Sequence, residues 1–270
     1  MNKQIFQIIW SFNRACQLDL LLRSQYKYAT GIHRTTVLYR ADGEKHVEAY
    51  KKLVLVYDNI VSFVEEKDFK QDITRILDES DAKYILGNSD DNAWVDYVDV
   101  NGITPDHGEV AISLRLNPRI NYCQPASSPA IRGSEIKQFP NGALGIDWMD
   151  DESTWCWAYP HPCDSHIYLK WYFEKILRGG DFHNPRTMEL HMDSKRREAP
   201  PVIGFRKHSK LLSIANNCIQ DGSSNPAGDA SPNTLCDKYL SGQRISLGCL
   251  PSPKATSCHV VTPYSFLNKK

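Results

Sequence analysis

Four short β-rich runs alternate with three helix-like runs through the first 90 residues, and that rhythm constrains the fold more than any other property of the chain. "QIFQIIWSF" (4–12) is an apolar strand-like run, and in the following "NRACQLDLLLRSQYKYA" Leu18, Leu21 and Leu22 recur at helical spacing. "TTVLYR" (35–40), "IVSFVEE" (60–66) and "KYILGNS" (83–89) repeat the strand signal. Between them "GEKHVEAYKKLVLVY" and "DFKQDITRILDES" read as helices, the second with Phe69, Ile73, Ile76 and Leu77 on one face. Strands separated by crossover helices make βαβ units, so the expectation is an α/β sheet covered by helices on both faces. In such sheets ligands gather beyond the carboxyl ends of the strands, which directs attention to residues 11–14, 39–42, 65–67 and 89–92.

At 270 residues the chain suffices for one α/β domain with elaborations. Its 32 acids balance 32 bases, so no global field draws it to nucleic acid or anionic lipid. Eight cysteines are scattered without a CxxC pair or the spacing of a structural zinc site, and read as reduced thiols. The apolar start of "MNKQIFQIIWSFNRACQ" is broken by Ser11, Asn13 and Arg14, too early for a signal peptide, and nothing approaches the roughly 20 apolar residues of a membrane span. The expectation is a cytoplasmic protein that reaches a membrane only peripherally, through a partner.

Beyond residue 100 the rhythm changes. "EVAISLRLNPRINYCQP" reads as a helix running into a strand, and "ASSPAIRGSEIKQFPNGA" (126–143) as a Ser, Pro and Gly-rich loop suited to a lid. Residues 144–177 hold four of the six tryptophans and many acids before a helix. A second loop, "QDGSSNPAGDASPN" (220–233), precedes a short helix at "TLCDKYLSG".

The chemistry centres on "NSDDN", where strand four ends on Asp90 and Asp91. Adjacent carboxylates repel, and a divalent cation such as Mg²⁺ or Mn²⁺, with its preference for hard oxygen ligands and shared phosphates, would relieve them. The alternative is that Ser89 and the acids cap a following helix. "SFNR" after strand one offers polar groups to a nucleotide, with Asn13 alternatively an N-cap. Arg40 after strand two suits a phosphate or carboxylate and Asp42 a base N–H or ribose hydroxyl, unless Asp42 and Gly43 simply turn the chain. In "WAYPHPCDSHIY" (157–168) Asp164 sits among histidines and aromatic rings, as a general base or an acceptor for sugar hydroxyls would, with neighbouring tryptophans offering faces for sugar stacking. The other reading is a Trp-rich core with satisfied His161 and His166. His259 is far away in sequence and could complete a metal shell, unless it is simply a surface or core residue.

Taken in order, "IIWSFNRACQLDLLLRS", "VLYRADGEKHVEAYKKL", "VSFVEEKDFKQDI", "YILGNSDDN", "ISLRLNPRINYC", "DSHIY", "NPRTMEL" and "NNCIQDGSSNP" resemble bacterial glycosyltransferases with a GT-A fold, over nearly the whole chain. The resemblance implies a Rossmann-related mixed sheet in a single domain, with a nucleotide-sugar-binding half at 1–100 and an acceptor-binding half with a C-terminal elaboration at 101–270. It implies a UDP- or GDP-sugar donor, a glycan acceptor and a role in bacterial surface polysaccharide synthesis. By the same resemblance Phe12, Asn13, Arg14, Tyr39, Arg40 and Asp42 hold the nucleotide, and "SDDN" stands where a DxD motif holds a divalent cation. Ser89 replaces the first acid of that motif, so Asp91 is the implied metal ligand, with His259 joining it, and Asp90 meets the ribose. Asp164 is the implied catalytic base of an inverting reaction, with Asp147, Asp150 and Asp151 in reserve; a retaining reaction needs none. The competing readings are a non-catalytic nucleotide-sugar or glycan binder and a metal-dependent phosphohydrolase.

Overall fold

The computed structural model describes residues 4–139, 142–219 and 228–268. The first half follows the expected alternation: strand β1 (Ile5–Phe12), helix α1 (Ala15–Tyr28), β2 (Ile32–Arg40), α2 (Glu44–Tyr57), β3 (Ser62–Glu65), α3 (Phe69–Asp78) and β4 (Tyr84–Ser89). The chain then turns through Asp90 and Asp91 into the short strand β5 (Asn92–Trp94), so the acid pair caps no helix. Further on come β6 (Glu109–Ser113), β7 (Lys137–Gln138), β8 (Leu144–Asp147), β9 (His166–Leu169), α4 (Lys170–Leu177), α5 (Pro185–Ser194), β10 (Val202–Phe205), β11 (Leu211–Ile214), α6 (Pro232–Leu240) and β12 (His259–Val260).

One nine-stranded sheet runs in the order β7-β8-β10-β6-β9-β4-β1-β2-β3. Strands β3, β2, β1 and β4 are mutually parallel, whereas β9 lies antiparallel to both β4 and β6. The sheet is therefore mixed and continuous across both halves of the sequence. A three-stranded sheet, β12-β11-β5, stands beside it and carries the chain away from the end of β4.

The sheet is covered on both faces, which explains why its strands read as unbroken apolar runs. Phe6, Ile8 and Trp10 of β1 point to the side packed by α3, α4 and α5, while Ile5 and Ile9 point to α1, α2 and α6. Each such side chain, fully buried, contributes roughly 1.5–3 kcal/mol. Asp19 of α1 is buried with them, but it accepts hydrogen bonds from Tyr57, Arg23 and Arg244, which fastens the C-terminal segment to the helix under the sheet.

Three expectations differ. "EVAIS" is a strand, not a helix: β6 is buried along its whole length between β9 and β10, and a short apolar run carries no periodicity that separates the two. Between the helix expected after residues 144–169 and the one at "TLCDKYLSG" a further helix, α5, intervenes. Its start carries a capping box between Asn184 and Thr187 and a proline in the first turn, a signal present in "NPRT". The loop at 126–139 holds short two-residue strands, and the opening of the loop at 220–233 lies outside the described residues.

Gly87 of β4 decides how close β9 comes. A Cβ there would lie 2.1 Å from the Cys163 carbonyl oxygen, while the Gly87 carbonyl accepts the Ser165 N–H at 2.7 Å. Glycine thereby lets the segment carrying Asp164 lie against the sheet. Gly87→Ala is expected to force the two apart at a cost of about 1–3 kcal/mol, read as a lowered midpoint in urea denaturation.

Candidate functional site

Arg14 opens α1 immediately beyond β1, and its guanidinium reaches the turn after β4. One nitrogen bridges the two acids, donating to Asp90 Oδ1 at 3.1 Å and to Asp91 Oδ2 at 3.2 Å; the other donates to the Asn217 carbonyl at 2.7 Å. The repulsion that seemed to call for a cation is thus met in part by a buried side chain of the protein. Asp90 is fully occupied: its Oδ2 accepts from the Ser11 hydroxyl and from the Phe12 N–H. Burial pushes the Asp90 carboxyl up, opposed by Arg14 and these donors. Asp91 is pushed up to about 6 by burial, against Arg14, with Asp90 and Asp164 adding to the rise.

Beside this clamp lies a cavity of about 360 Å³, within the range of ligand pockets. Arg14, Asp91, Asp164 and His259 all line it. Asp164 is held from several sides. Arg115 donates to Oδ1 at 2.9 Å, and Asn92 donates to Oδ2 at 3.1 Å. Burial would raise this carboxyl, but Arg115, with His259, Asn92 and His166, holds it below the usual value. Burial, aided by Arg115, pushes His259 down to about 4, so its imidazole is neutral at physiological pH.

The other nucleotide candidates stand apart from this cavity's lining. Asn13 takes a left-handed backbone (φ 53°), and its side chain accepts the Asp42 N–H at 2.8 Å rather than capping α1. Arg40 pairs with Asp42 and lies over the Phe12 ring, while Tyr39 stacks on Tyr50. Phe12, Asn13, Tyr39, Arg40 and Asp42 therefore form a neighbouring group at the ends of β1 and β2. The Tyr50 hydroxyl joins this group to the clamp through Ser11 and the Arg14 N–H.

His161 and His166 are core histidines. His161 is bonded to the Met192 carbonyl and the Tyr172 hydroxyl, and His166 to the Asp164 carbonyl. Residues 122–125 line the cavity, whereas none of 126–139, the described part of the loop expected as a lid, does.

Sequence reading passed over Arg115 and Glu189. Glu189, on α5, lines the cavity and accepts the Cys163 N–H at 3.1 Å; burial and Asp164 raise its carboxyl to about 7. The signal was available, as an acid one turn into a proline-started, capped helix. Five of the eight cysteines also line the cavity, and all eight are free thiols.

Among the described residues no three His, Cys, Asp or Glu side chains converge on one metal position. A carboxylate, Asp91, and a neutral imidazole, His259, on one cavity do fit a hard cation that draws the rest of its shell from phosphate and water. Among the described residues, no helix is long and apolar enough to cross a membrane.

Removing the clamp should be costly. Arg14→Ala leaves the buried Asp90 and the half-buried Asp91 uncompensated, and a loss of about 3 kcal/mol is expected at pH 7.5 in urea denaturation. Without Arg14 both acids would titrate in the fold above their unfolded values, so the deficit is greatest at neutral pH and shrinks as pH falls toward 4 and they protonate.

No family profile and no curated protein matches the sequence. Solved structures show distant likeness. The mannosyltransferase PcManGT from Pyrobaculum calidifontis, solved with GDP-Man and Mn²⁺, is 13% identical with a TM-score of 0.35, over 44% of this chain and 37% of that one. TarS 1-349 of S. aureus in complex with UDP is 14% identical with a TM-score of 0.45, over 76% of this chain and 58% of that one. A further TarS structure gives 14% and 0.45, over 79% and 37%. The chain thus spans between 37% and 58% of the length of these structures.

Proposed function

We propose that the cavity beyond β1 and β4 binds a nucleoside-diphosphate sugar and transfers its sugar to an acceptor hydroxyl. The observation that carries this is the convergence, on one cavity at the carboxyl ends of parallel strands, of the Arg14-clamped Asp91 with Asp164, Glu189 and His259. It agrees with the resemblance in the sequence. A phosphohydrolase of the metal-dependent kind would want a carboxylate at the end of β1 as well, where Ser11, Phe12 and Asn13 stand.

On this reading the group of Phe12, Asn13, Tyr39, Arg40 and Asp42 holds the nucleoside, and Arg14 fixes Asp91 so that it faces the diphosphate. Asp90 supports the clamp from beneath rather than meeting the ribose, because its oxygens are taken by Arg14, Ser11 and Phe12. Asp91 and His259 would hold a divalent cation, Mn²⁺ or Mg²⁺. Such an ion, when bound, neutralises the charge that develops on the departing diphosphate.

The base is better supplied by Glu189 than by Asp164. Asp164, ionised and bonded on both oxygens, is a poor proton acceptor and a good fixed charge beside the transition state. Glu189, at about 7, is matched to a proton transfer near neutrality. As the acceptor oxygen bonds to the anomeric carbon, Glu189 takes its proton and the bond to the diphosphate breaks, with the electron pair leaving on phosphate. That sequence inverts the anomeric centre. The working context remains that of the resemblance, a bacterial surface glycan made on the cytoplasmic side of a membrane.

Two experiments test this. UDP or GDP should raise the melting temperature, more so with Mn²⁺ than with EDTA, and Asp91→Asn should remove the Mn²⁺-dependent part; no response to either nucleotide overturns the site, and an unchanged Mn²⁺ increment in the variant overturns the ligand. With a donor and acceptor that release nucleoside diphosphate, kcat should rise with pH through about 7 as Glu189 loses its proton. Glu189→Gln should lower kcat by about 10²–10⁴-fold and leave nucleotide binding intact, and a smaller loss returns the role to Asp164.

A further inference from the structure

Trp155 is in an expensive position for its residue type. It begins the short 3₁₀ helix Trp155–Trp157 with φ 52°, a left-handed conformation that favours glycine and disfavours a bulky side chain. Its side chain stays 48% exposed and lines the cavity, while its neighbour Trp157 is wholly buried.

The flanking contacts hold the strained residue in place. Thr154 is paired with Ile131 twice, its N–H donating to the Ile131 carbonyl and its hydroxyl accepting the Ile131 N–H. Ser153 accepts the Gly133 N–H, and Trp157 donates from its indole to the Ile120 carbonyl and packs on Phe205. Strain maintained this way beside a cavity points to a function for the residue it displays.

We propose that Trp155 is the stacking platform for the acceptor, and that the acceptor presents a pyranose ring. The inference rests on the reading of this cavity as a glycosyl-transfer site. Tyr122 and Tyr159 line the same cavity, and the only carboxylate that α5 brings to it, Glu189, lies close enough to Tyr159 and Cys163 to influence their titration. Aromatic faces beside a carboxylate suit a polyol: the C–H face of the ring lies on the indole, and hydroxyls donate to the carboxylate. The acid that orients the hydroxyl on this subsite is also the one placed to take its proton.

Saturation-transfer NMR on the full chain tests this, using methyl β-D-glucopyranoside, methyl β-D-galactopyranoside, methyl α-D-mannopyranoside and methyl N-acetyl-β-D-glucosaminide as probes. At least one should show saturation concentrated on the C–H protons of one ring face. Trp155→Ala should abolish that signal and Trp155→Phe should retain it, with unchanged circular dichroism and an unchanged thermal response to UDP or GDP. Saturation that survives in Trp155→Ala, or none from any of the four glycosides, overturns the inference. Loss of the nucleotide response in the wild-type protein would instead overturn the reading of the site, a separate measurement that the glycoside signal does not affect.

Discussion

The contact on which the site depends is the bridge from Arg14 to Asp90 and Asp91. It joins the end of β1, the turn after β4 and, through the Asn217 carbonyl, the segment that follows β11. Two adjacent acids in a largely buried turn repel where the dielectric is low, and a planar guanidinium, with donors in a fixed fork, suits donation to both and to a carbonyl at once. A cation alone would leave the fold contingent on its ligand. With Arg14 in place the fold tolerates the pair, and Asp91 keeps a face on the cavity with its carboxyl already raised. That is a poised rather than a satisfied group, as functional sites commonly contain.

A second buried pair, Arg115 with Asp164, divides the work among the carboxylates. Asp164 is driven toward its charged form by Arg115 against its burial, and Glu189 is driven toward its neutral form by burial, with Asp164 across the same cavity adding to it. Two like residues with opposite environments can take the parts of fixed charge and proton carrier. Gly87 makes this arrangement sterically possible, since only a residue without a side chain lets the Asp164 segment lie on β4. The segment leading into the antiparallel β9 is therefore what carries Asp164 to a cavity otherwise built at the ends of parallel strands.

Much of this was legible in the residues. The alternation of strands and helices through β4 was readable because burial on both faces and helical amphipathicity leave distinct periods. "SFNR", "YRAD" and "SDDN" were found because the ends of parallel strands are where such a sheet binds, a rule that needs only the strand assignment. The site was harder. Arg14 could be picked out, but not that it would close on Asp90 and Asp91 some 76 and 77 residues away. The aromatic surroundings of Asp164 were visible in its segment, but its partner Arg115, 49 residues earlier, was not.

The sequence by itself determined the class of the sheet, the strand ends that matter and the residue types gathered there, because those follow from local periodicity and chain order. Only the tertiary structure decided which acids are paired and which are poised. It decided that β6 is a strand, that α5 delivers Glu189 to the cavity, and that Trp155 is shown to solvent while Trp157 is buried. The reason is physical: a carboxyl's charge state depends on burial and on neighbours within a few ångströms, and those neighbours come from segments that only the closed sheet brings together.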